Sequence, residues 1–278
     1  MQQFHRQLKR CRHRQNPDLV HDLRVESRRL RVWCDLLVSV KAGPSVPAAR
    51  REVKRLWRSL ARLRDTQVQL ELLQQMPKSA GRGVIFCRRW LRREETFQSA
   101  RVLRRCRQLH PMRISAGIIE GVESIGKLPR ERADDQWLER QVRRWVGRLV
   151  RAAEQAHRRV NAQRPITLHR LRISLKQLRY ALEALGESTS PRGRTWSVSW
   201  LRNLQGLLGE IQDAEVFLAR LKEAAIEHPR HAAELPRLEQ WLRRRRDSRI
   251  RRILRQTEEL SRTLAEVRGR WALPVFSD

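Results

Sequence analysis

An all-α fold made from a duplicated helical unit is the expectation for this chain, and three observations carry it. One segment occurs twice: Val20-His21-Asp22-Leu23-Arg24-Val25-Glu26-Ser27-Arg28-Arg29-Leu30-Arg31 returns as Leu168-His169-Arg170-Leu171-Arg172-Ile173-Ser174-Leu175-Lys176-Gln177-Leu178-Arg179. A second segment, Leu60-Ala61-Arg62-Leu63-Arg64-Asp65-Thr66-Gln67-Val68, returns as Leu208-Gly209-Glu210-Ile211-Gln212-Asp213-Ala214-Glu215-Val216 at the same offset of 148. Two unrelated helices would not keep both spacings, so the unit is duplicated. Finally, long stretches of Leu, Arg, Glu and Gln carry apolar residues three or four apart, while β-branched period-2 alternation is absent.

Taken in order, the first half (1–110) reads as helices over 2–14, 18–41, 46–76 and 82–109, punctuated by Pro and Gly near 43–47 and 77–83. A connector over 111–131, itself containing Pro and Gly, leads to the second half (132–269). That half reads as helices over 132–163, 166–186, 192–226 and 232–268, with breakers near 164–165, 186–193 and 229–236. Residues 270–278 form a tail, and 1–278 is expected to be a single domain. Trp90-Leu91-Arg92-Arg93 is answered by Trp241-Leu242-Arg243-Arg244 at offset 151, which implies a small insertion in the second copy. The first half of helix 132–163 maps to positions before Met1. Either the natural chain begins there or a segment upstream is missing.

Apolar residues make up 40% of the 278, enough for a sizeable core, and 61 Lys+Arg against 30 Asp+Glu leave a net charge of +31. Such a charge attracts polyanions, with nucleic acid, anionic membrane and inorganic polyphosphate all candidates. Cys11, Cys34, Cys87 and Cys106 lie in the first half alone, without a C-x-x-C pair. A duplicated zinc or disulfide framework would have duplicated its cysteines, so reduced thiols in a cytoplasmic protein are expected. The start Met1-Gln2-Gln3-Phe4-His5-Arg6-Gln7-Leu8-Lys9 lacks a signal peptide's apolar core, and no stretch reaches the roughly 18 apolar residues of a membrane span.

The repeated segment is a stripe of cations. On a wheel of about 100° per residue, Arg24, Arg28 and Arg31 fall within about 80° of His21, and Leu19, Leu23, Leu30, Cys34 and Leu37 occupy the opposite face. In the second copy His169, Arg172, Lys176 and Arg179 repeat the stripe, and Leu171, Leu178, Leu182 and Leu185 the apolar ridge. Val25, Val32 and Leu36 flank the first stripe, and Ile173, Tyr180 and Ala184 the second, so each faces a groove rather than open water. Solvated charge is the ordinary fate of any single Arg on a basic helix. Here the cations persist in both copies while neighbouring polar positions change (Asp22 to Arg170, Glu26 to Ser174, Arg29 to Gln177). That argues for function. His21 and His169 lack metal-ligand partners and sit among cations; they fit anion contacts, with protonation favoured by the anion. The Arg and Lys members are expected to stay charged across neutral pH.

Asp65 and Asp213 are expected to pair with a stripe cation or to orient a histidine, and Gly206 and Gly209 to allow close helix contact. Lys54 and Arg58 in the first copy, and Arg202 in the second, are expected to form second walls of the groove, with Arg192 and Arg194 nearby.

The pattern H-x-x-R-x-x-x-[RK]-x-L-R, followed by L-x-x-[LI]-x-D-x-x-V, resembles the conserved histidine α-helical domain, CHAD. Leu168 to Leu185 is the closer copy, including Lys176-Gln177-Leu178-Arg179-Tyr180 and Glu183; the first copy has Val32 and Asp35 in the last two places. The resemblance covers nearly the whole chain. It implies two pseudo-symmetric antiparallel four-helix bundles about a basic central cavity, binding of inorganic polyphosphate and association with polyphosphate granules. The ligands it implies are His21, Arg24, Arg28, Arg31, His169, Arg172, Lys176 and Arg179.

Polyphosphate has no bases to stack, and aromatics are only 5% here, with nine Trp scattered along helices as packing residues. Arg forks suit phosphate oxygens. The main rival is nucleic-acid binding, which charge supports equally, although no helix-turn-helix, zinc finger or aromatic RNA motif is present. An enzyme is disfavoured, since no phosphate loop, acid pair or nucleophile elbow is found. No cofactor, metal or membrane insertion is expected, and protein partners are not legible.

Overall fold

The computed structural model describes residues 1–14, 16–76, 81–127, 135–186 and 196–271. Among the described residues it is wholly helical, without a strand. The first half contributes α1 (Gln2–Cys11), α2 (Pro17–Ser39), α3 (Ser45–Gln74) and α4 (Arg82–Gln108). α5 (Pro111–Gly126) follows, then α6 (Asp135–Arg158), α7 (Pro165–Ala184), α8 (Trp196–Glu227), the single turn α9 (Pro229–Ala232), α10 (Pro236–Leu254) and α11 (Thr257–Trp271). The expected positions 77–80, 128–134, 192–195 and 272–278, with Arg192 and Arg194, lie outside the described residues.

Local chemistry sets the helix that carries the first stripe. Asn16 caps α2, its side-chain oxygen accepting from Leu19 N–H at 2.8 Å, and Pro17 occupies the first turn where no N–H is needed. α7 likewise starts on Pro165, and its end is marked by Gly186 at φ +83°.

Two expectations about boundaries change. The connector is mostly a helix. Its glycines do not break α5; they let it lie against α3. A Cβ on Gly121 would sit 2.3 Å from Val46 Cγ2, and one on Gly117 would sit 3.1 Å from the Ser45 carbonyl oxygen. The segment read as one helix over 232–268 is two, α10 and α11, separated at Arg255–Gln256 without Pro or Gly. The restart carries acids in its first turn, Glu258 and Glu259, just after Thr257.

Three apolar cores hold the helices, and two of them cross from one half to the other. One lies within the first half, joining α1, α2, α3, α4 and α5 through residues such as Phe4, Leu23, Leu56 and Val102. The largest belongs mainly to α6, α7, α8, α10 and α11, yet it also takes in Val32, Leu36 and Leu37 of α2 and Val46 of α3. The last mixes Leu70 and Leu73 of α3 and Leu91 of α4 with Phe217 and Leu221 of α8 and Leu242 of α10. The apolar ridge of each stripe helix is buried as expected: Leu19, Leu23, Leu30, Cys34 and Leu37 on α2, and Leu171, Leu178 and Leu182 on α7. All four cysteines are buried, and burial pushes the Cys11, Cys34 and Cys87 thiols up to about 12.

Because two cores are shared, the chain should unfold as one unit. Phe217→Ala empties a fully buried ring site in the third core and should cost about 3–5 kcal/mol. Urea unfolding followed by tryptophan fluorescence and by circular dichroism should still give one coincident transition. Two separated transitions would show that the halves fold independently.

Candidate functional site

The flanks of the two stripes are what bring them together. Val32 and Leu36 of α2 share a core with Tyr180 of α7, and Ala184 packs against it. α2 therefore meets α7 along the edges of both cationic rows. Arg28 donates to the Tyr180 hydroxyl across this seam, and its guanidinium carbon lies 4.8 Å from the ring centroid. Arg179 lies over the same ring at 4.2 Å. On the other side of α2, Trp57 of α3 receives Arg24 at 5.3 Å and Arg31 at 5.7 Å.

Electrostatics show how closely the rows approach. Arg24 falls to about 10 through burial and then through Arg28, opposed by Asp65, with Arg64 and Arg172 adding to the fall. Arg28 is lowered by burial and by Arg172 and Arg179, while Tyr180 opposes this. Lys176 falls furthest, to about 6: burial leads, followed by Arg28, Arg172, Arg24 and Arg179. The expectation that the lysine keeps its charge across neutral pH is therefore overturned, because desolvation and four like charges act together. Asp213 rises to about 6 through burial, opposed by Arg172, with Asp65 raising it further; Asp65 is itself raised by burial against Arg24 and Arg172. Each row thus feels the other, and both carboxylates lie within the same field.

Neutralisation is uneven along the rows. At their C-terminal ends, Arg31 pairs with Asp35 at 3.7 Å, which Arg50 also contacts, and Arg179 pairs with Glu183. Among the described residues Arg24, Arg28, Arg172 and Lys176 form no ion pair, and Nη1 of Arg24 is buried without a hydrogen-bond partner. The middle of the two rows carries the unneutralised charge.

The aspartates do not take either expected role. Neither makes a salt bridge among the described residues, and neither orients a histidine. In the second copy the residue before Asp213 does the latter work. Nδ1 of His169 is hydrogen-bonded to Gln212 Oε1. In the first copy Arg64 stands at that position; it lies close enough to help burial lower the pKa of His21, and it forks to Glu71 at 2.8 and 3.3 Å. Sequence reasoning did not single out Arg64 or Gln212. It also missed Trp57 and Arg220, the latter reaching Thr66 at 3.1 Å and stacking over Trp90 at 4.7 Å.

The expected second walls are only partly assembled. Lys54 is half-buried on α3. Arg58 is exposed and lines a different groove, between α3 and α4. Arg202 is exposed and pairs with Glu183 at 3.0 Å. Gly206 and Gly209 do not mark close helix contact, since nothing lies within 4 Å of a Cβ built on either. Among the described residues no three His, Cys, Asp or Glu side chains are gathered so as to hold a metal, and no helix is long and apolar enough to cross a membrane.

The CHAD domain family matches residues 1–222. Among solved structures, the crystal structure of the CHAD domain from the plant Ricinus communis is similar at a TM-score of 0.65 and 21% identity, with 98% of this chain and 87% of that chain covered. At that identity the likeness speaks for the fold. No curated protein matches the chain.

Burying Lys176 among cations costs stability, and the pH dependence shows the sign. Its folded pKa of about 6 lies below the ~10.4 of an unfolded lysine, so the unfolded chain binds more protons between those values. Stability therefore rises with pH across this window and is lost as pH falls towards 6. Asp213 acts oppositely, with its contribution present below ~4 and lost as pH rises through about 6, and the raised thiols of the buried cysteines begin to oppose the lysine near the ~8.5 of an unfolded cysteine, so the range from ~7 to ~8 isolates the lysine. Lys176→Met should raise Tm at pH 7 by at least ~2 °C and flatten the rise in urea midpoint between pH ~7 and ~8. A lower Tm with the slope intact would show that Lys176 is not held in this way.

Proposed function

This chain belongs to the CHAD family, and on that premise we propose that it binds inorganic polyphosphate, without turning it over, through the cationic rows of α2 and α7. The observation that carries the reading is the unneutralised middle of those rows. Arg24, Arg28, Arg172 and Lys176 lie in one another's fields, with Asp65 and Asp213 as acids in the same field. An anion chain would supply the missing countercharge, and its oxygens would give the buried Nη1 of Arg24 an acceptor. His21 and His169 stand at the N-terminal ends of the rows, where a protonated imidazole would add a donor.

Polyphosphate suits this place better than nucleic acid. The nearby rings are already engaged: Trp57 by Arg24 and Arg31, and Tyr180 by Arg28 and Arg179. Bases would find no free stacking platform there, whereas a chain of phosphates needs none. With phosphate as the ligand, a cytoplasmic place at polyphosphate granules follows as part of the same proposal. Phosphate release from long-chain polyphosphate, measured with and without magnesium, should be absent; release that depends on Asp213 would replace binding with catalysis.

Lys176→Glu or Arg28→Glu should each weaken polyphosphate binding by more than the ~1.5–3 kcal/mol of one charge-assisted hydrogen bond, since each also adds a repelling charge. Arg244→Glu, on the exposed side of α10, changes net charge equally and should cost far less. Equal losses would mean that overall charge does the binding. Duplex DNA displacing polyphosphate at equal phosphate concentration and fixed salt would favour the nucleic-acid reading.

Binding should also depend on pH. Lys176 faces Arg24 and Arg28 of α2, Arg172 and Arg179 of α7 and Asp213 of α8. A bound anion favours its charged form, so affinity should rise as pH falls through the bound pKa towards the free value of about 6. His21, lowered by burial and Arg64, and Asp213, which loses its opposing charge below about 6, act in the same direction. Lys176→Arg keeps the charge at every pH and should remove the largest share of the slope between pH ~5.5 and ~8.5. A slope unchanged in that variant would move the titration to His21 and Asp213.

A further inference from the structure

Beyond the central rows, α3 and α4 leave a groove of about 400 Å³ between them. Five arginines line it: Arg58 and Arg62, one turn apart on α3, and Arg101, Arg104 and Arg105, one turn apart on α4. Arg105 is partly neutralised by Glu52 at 2.9 Å. The other four are exposed, and among the described residues they form no ion pair. Ser59 and Gln98 add neutral polar groups, and the lining includes neither a carboxylate nor an aromatic ring.

The second copy of the motif supplies an internal control. At offset 148 Gly206 stands for Arg58 and Glu210 for Arg62; at offset 151 Arg249 stands for Gln98. There Glu210 takes Arg245 at 3.0 Å and Arg249 at 2.8 Å, so the equivalent place neutralises itself. Stabilising two neighbouring helices requires no excess of charge between them, and the second copy does it with ion pairs. The first copy instead keeps an open cationic lining. It shares α3 with the central rows: Arg62 also lines a neighbouring pocket with Asp65, Arg220, Glu94, Glu223 and Glu227, and on the helical wheel Asp65, Arg58 and Arg62 lie within about 60°.

We propose that the α3–α4 groove is a second site for inorganic polyphosphate, holding a segment of chain that runs on from the central rows. Long chains would then occupy both places and gain by avidity, whereas short ones would fill only the centre. Arg forks across phosphate oxygens match the lining, and the absence of a ring there disfavours a single-stranded nucleic acid. The proposal rests on the polyphosphate reading of the central rows.

The test uses the full chain, with tripolyphosphate and long-chain polyphosphate as probes at one ionic strength. Arg62→Glu/Arg101→Glu alters the groove. Arg252→Glu/Arg255→Glu makes the same change of charge on α10 and just beyond its end, with Arg252 and Arg255 standing where the first copy has Arg101 and Arg104. The groove variant should lose at least ~10-fold in affinity for the long chain and stay within ~2-fold of wild type for tripolyphosphate, while the control stays within ~2-fold for both. Circular dichroism and Tm establish that each is folded, and Arg62→Gln/Arg101→Gln should repeat the loss more weakly. A groove variant that binds long chains like wild type, or a control that loses as much, overturns the proposal. Loss of duplex DNA binding with polyphosphate binding intact would make the groove a nucleic-acid surface and overturn it too. Failure of the central reading looks different: Lys176→Glu would then leave both probes bound as in wild type.

Discussion

Everything in this molecule is arranged around a place where more cations than anions are half-buried. Taking a charge out of water costs several kcal/mol unless a countercharge or hydrogen bonds replace the water. Between α2 and α7 the countercharge falls short: Arg24, Arg28, Arg172 and Lys176 share only Asp65 and Asp213, and the lysine falls to about 6 in consequence. The surrounding fold must offset that cost, and it does so with apolar burial on every side. α2 turns Leu19, Leu23 and Leu30 of its ridge into the first-half core, while its Val32 and Leu36 edge and the end of the ridge at Cys34 and Leu37 pack into the second. Below the rows, Leu70, Leu73 and Leu91 meet Phe217, Leu221 and Leu242. The cations cannot move apart without opening these cores.

The pattern of neutralisation sorts structural charge from charge left available. Asp35 and Glu183, each four residues after the last arginine of its row, tie down Arg31 and Arg179. They are one position in the two copies, where the first departs in identity and keeps the acid. Tyr180 and Val32, at corresponding positions, differ in size and polarity, and both are buried at the seam. The Tyr180 ring lies against both Arg28 and Arg179, and its hydroxyl accepts from Arg28. What stays unneutralised is the middle of each row, away from the ends that the ion pairs fix.

Much of this was legible in the sequence because period and repetition report faces directly. The 3.6-residue period gave the helices, the repeat gave the stripes, and of the flanking residues Val32, Leu36, Tyr180 and Ala184 form the seam, whereas Ile173 is exposed beside α6. Three things were not legible, each for a physical reason. Gly117 and Gly121 read as helix breakers because composition does not distinguish a glycine that ends a helix from one that admits a neighbour. The break before Thr257 carries no Pro or Gly, only a polar residue followed by acids. Histidine partners were assigned to Asp65 and Asp213 because an identical residue in both copies is easy to see. The partner of His169 is Gln212, and the first copy has Arg64 at that position, bonded to Glu71 instead. A contact made in one copy alone leaves no repeated letter.

The repeat also explains why the site needs the whole chain. One stripe on one helix would be an ordinary solvated face, its arginines extended into water and little shifted from their usual basicity. Burial requires a partner surface, and an apolar partner would leave Arg28 without the Tyr180 hydroxyl and Arg24 without an indole. A second cationic row, edged by apolar residues at the same positions, supplies the contact and doubles the charge at once. The same geometry makes the unliganded state the strained one: each row raises the cost of the other, and both costs fall when an anion lies between them. Stability and affinity are then set by the same side chains with opposite sign. A substitution that relieves the repulsion makes a firmer protein and a poorer binder, and the half-buried lysine is where that opposition is strongest.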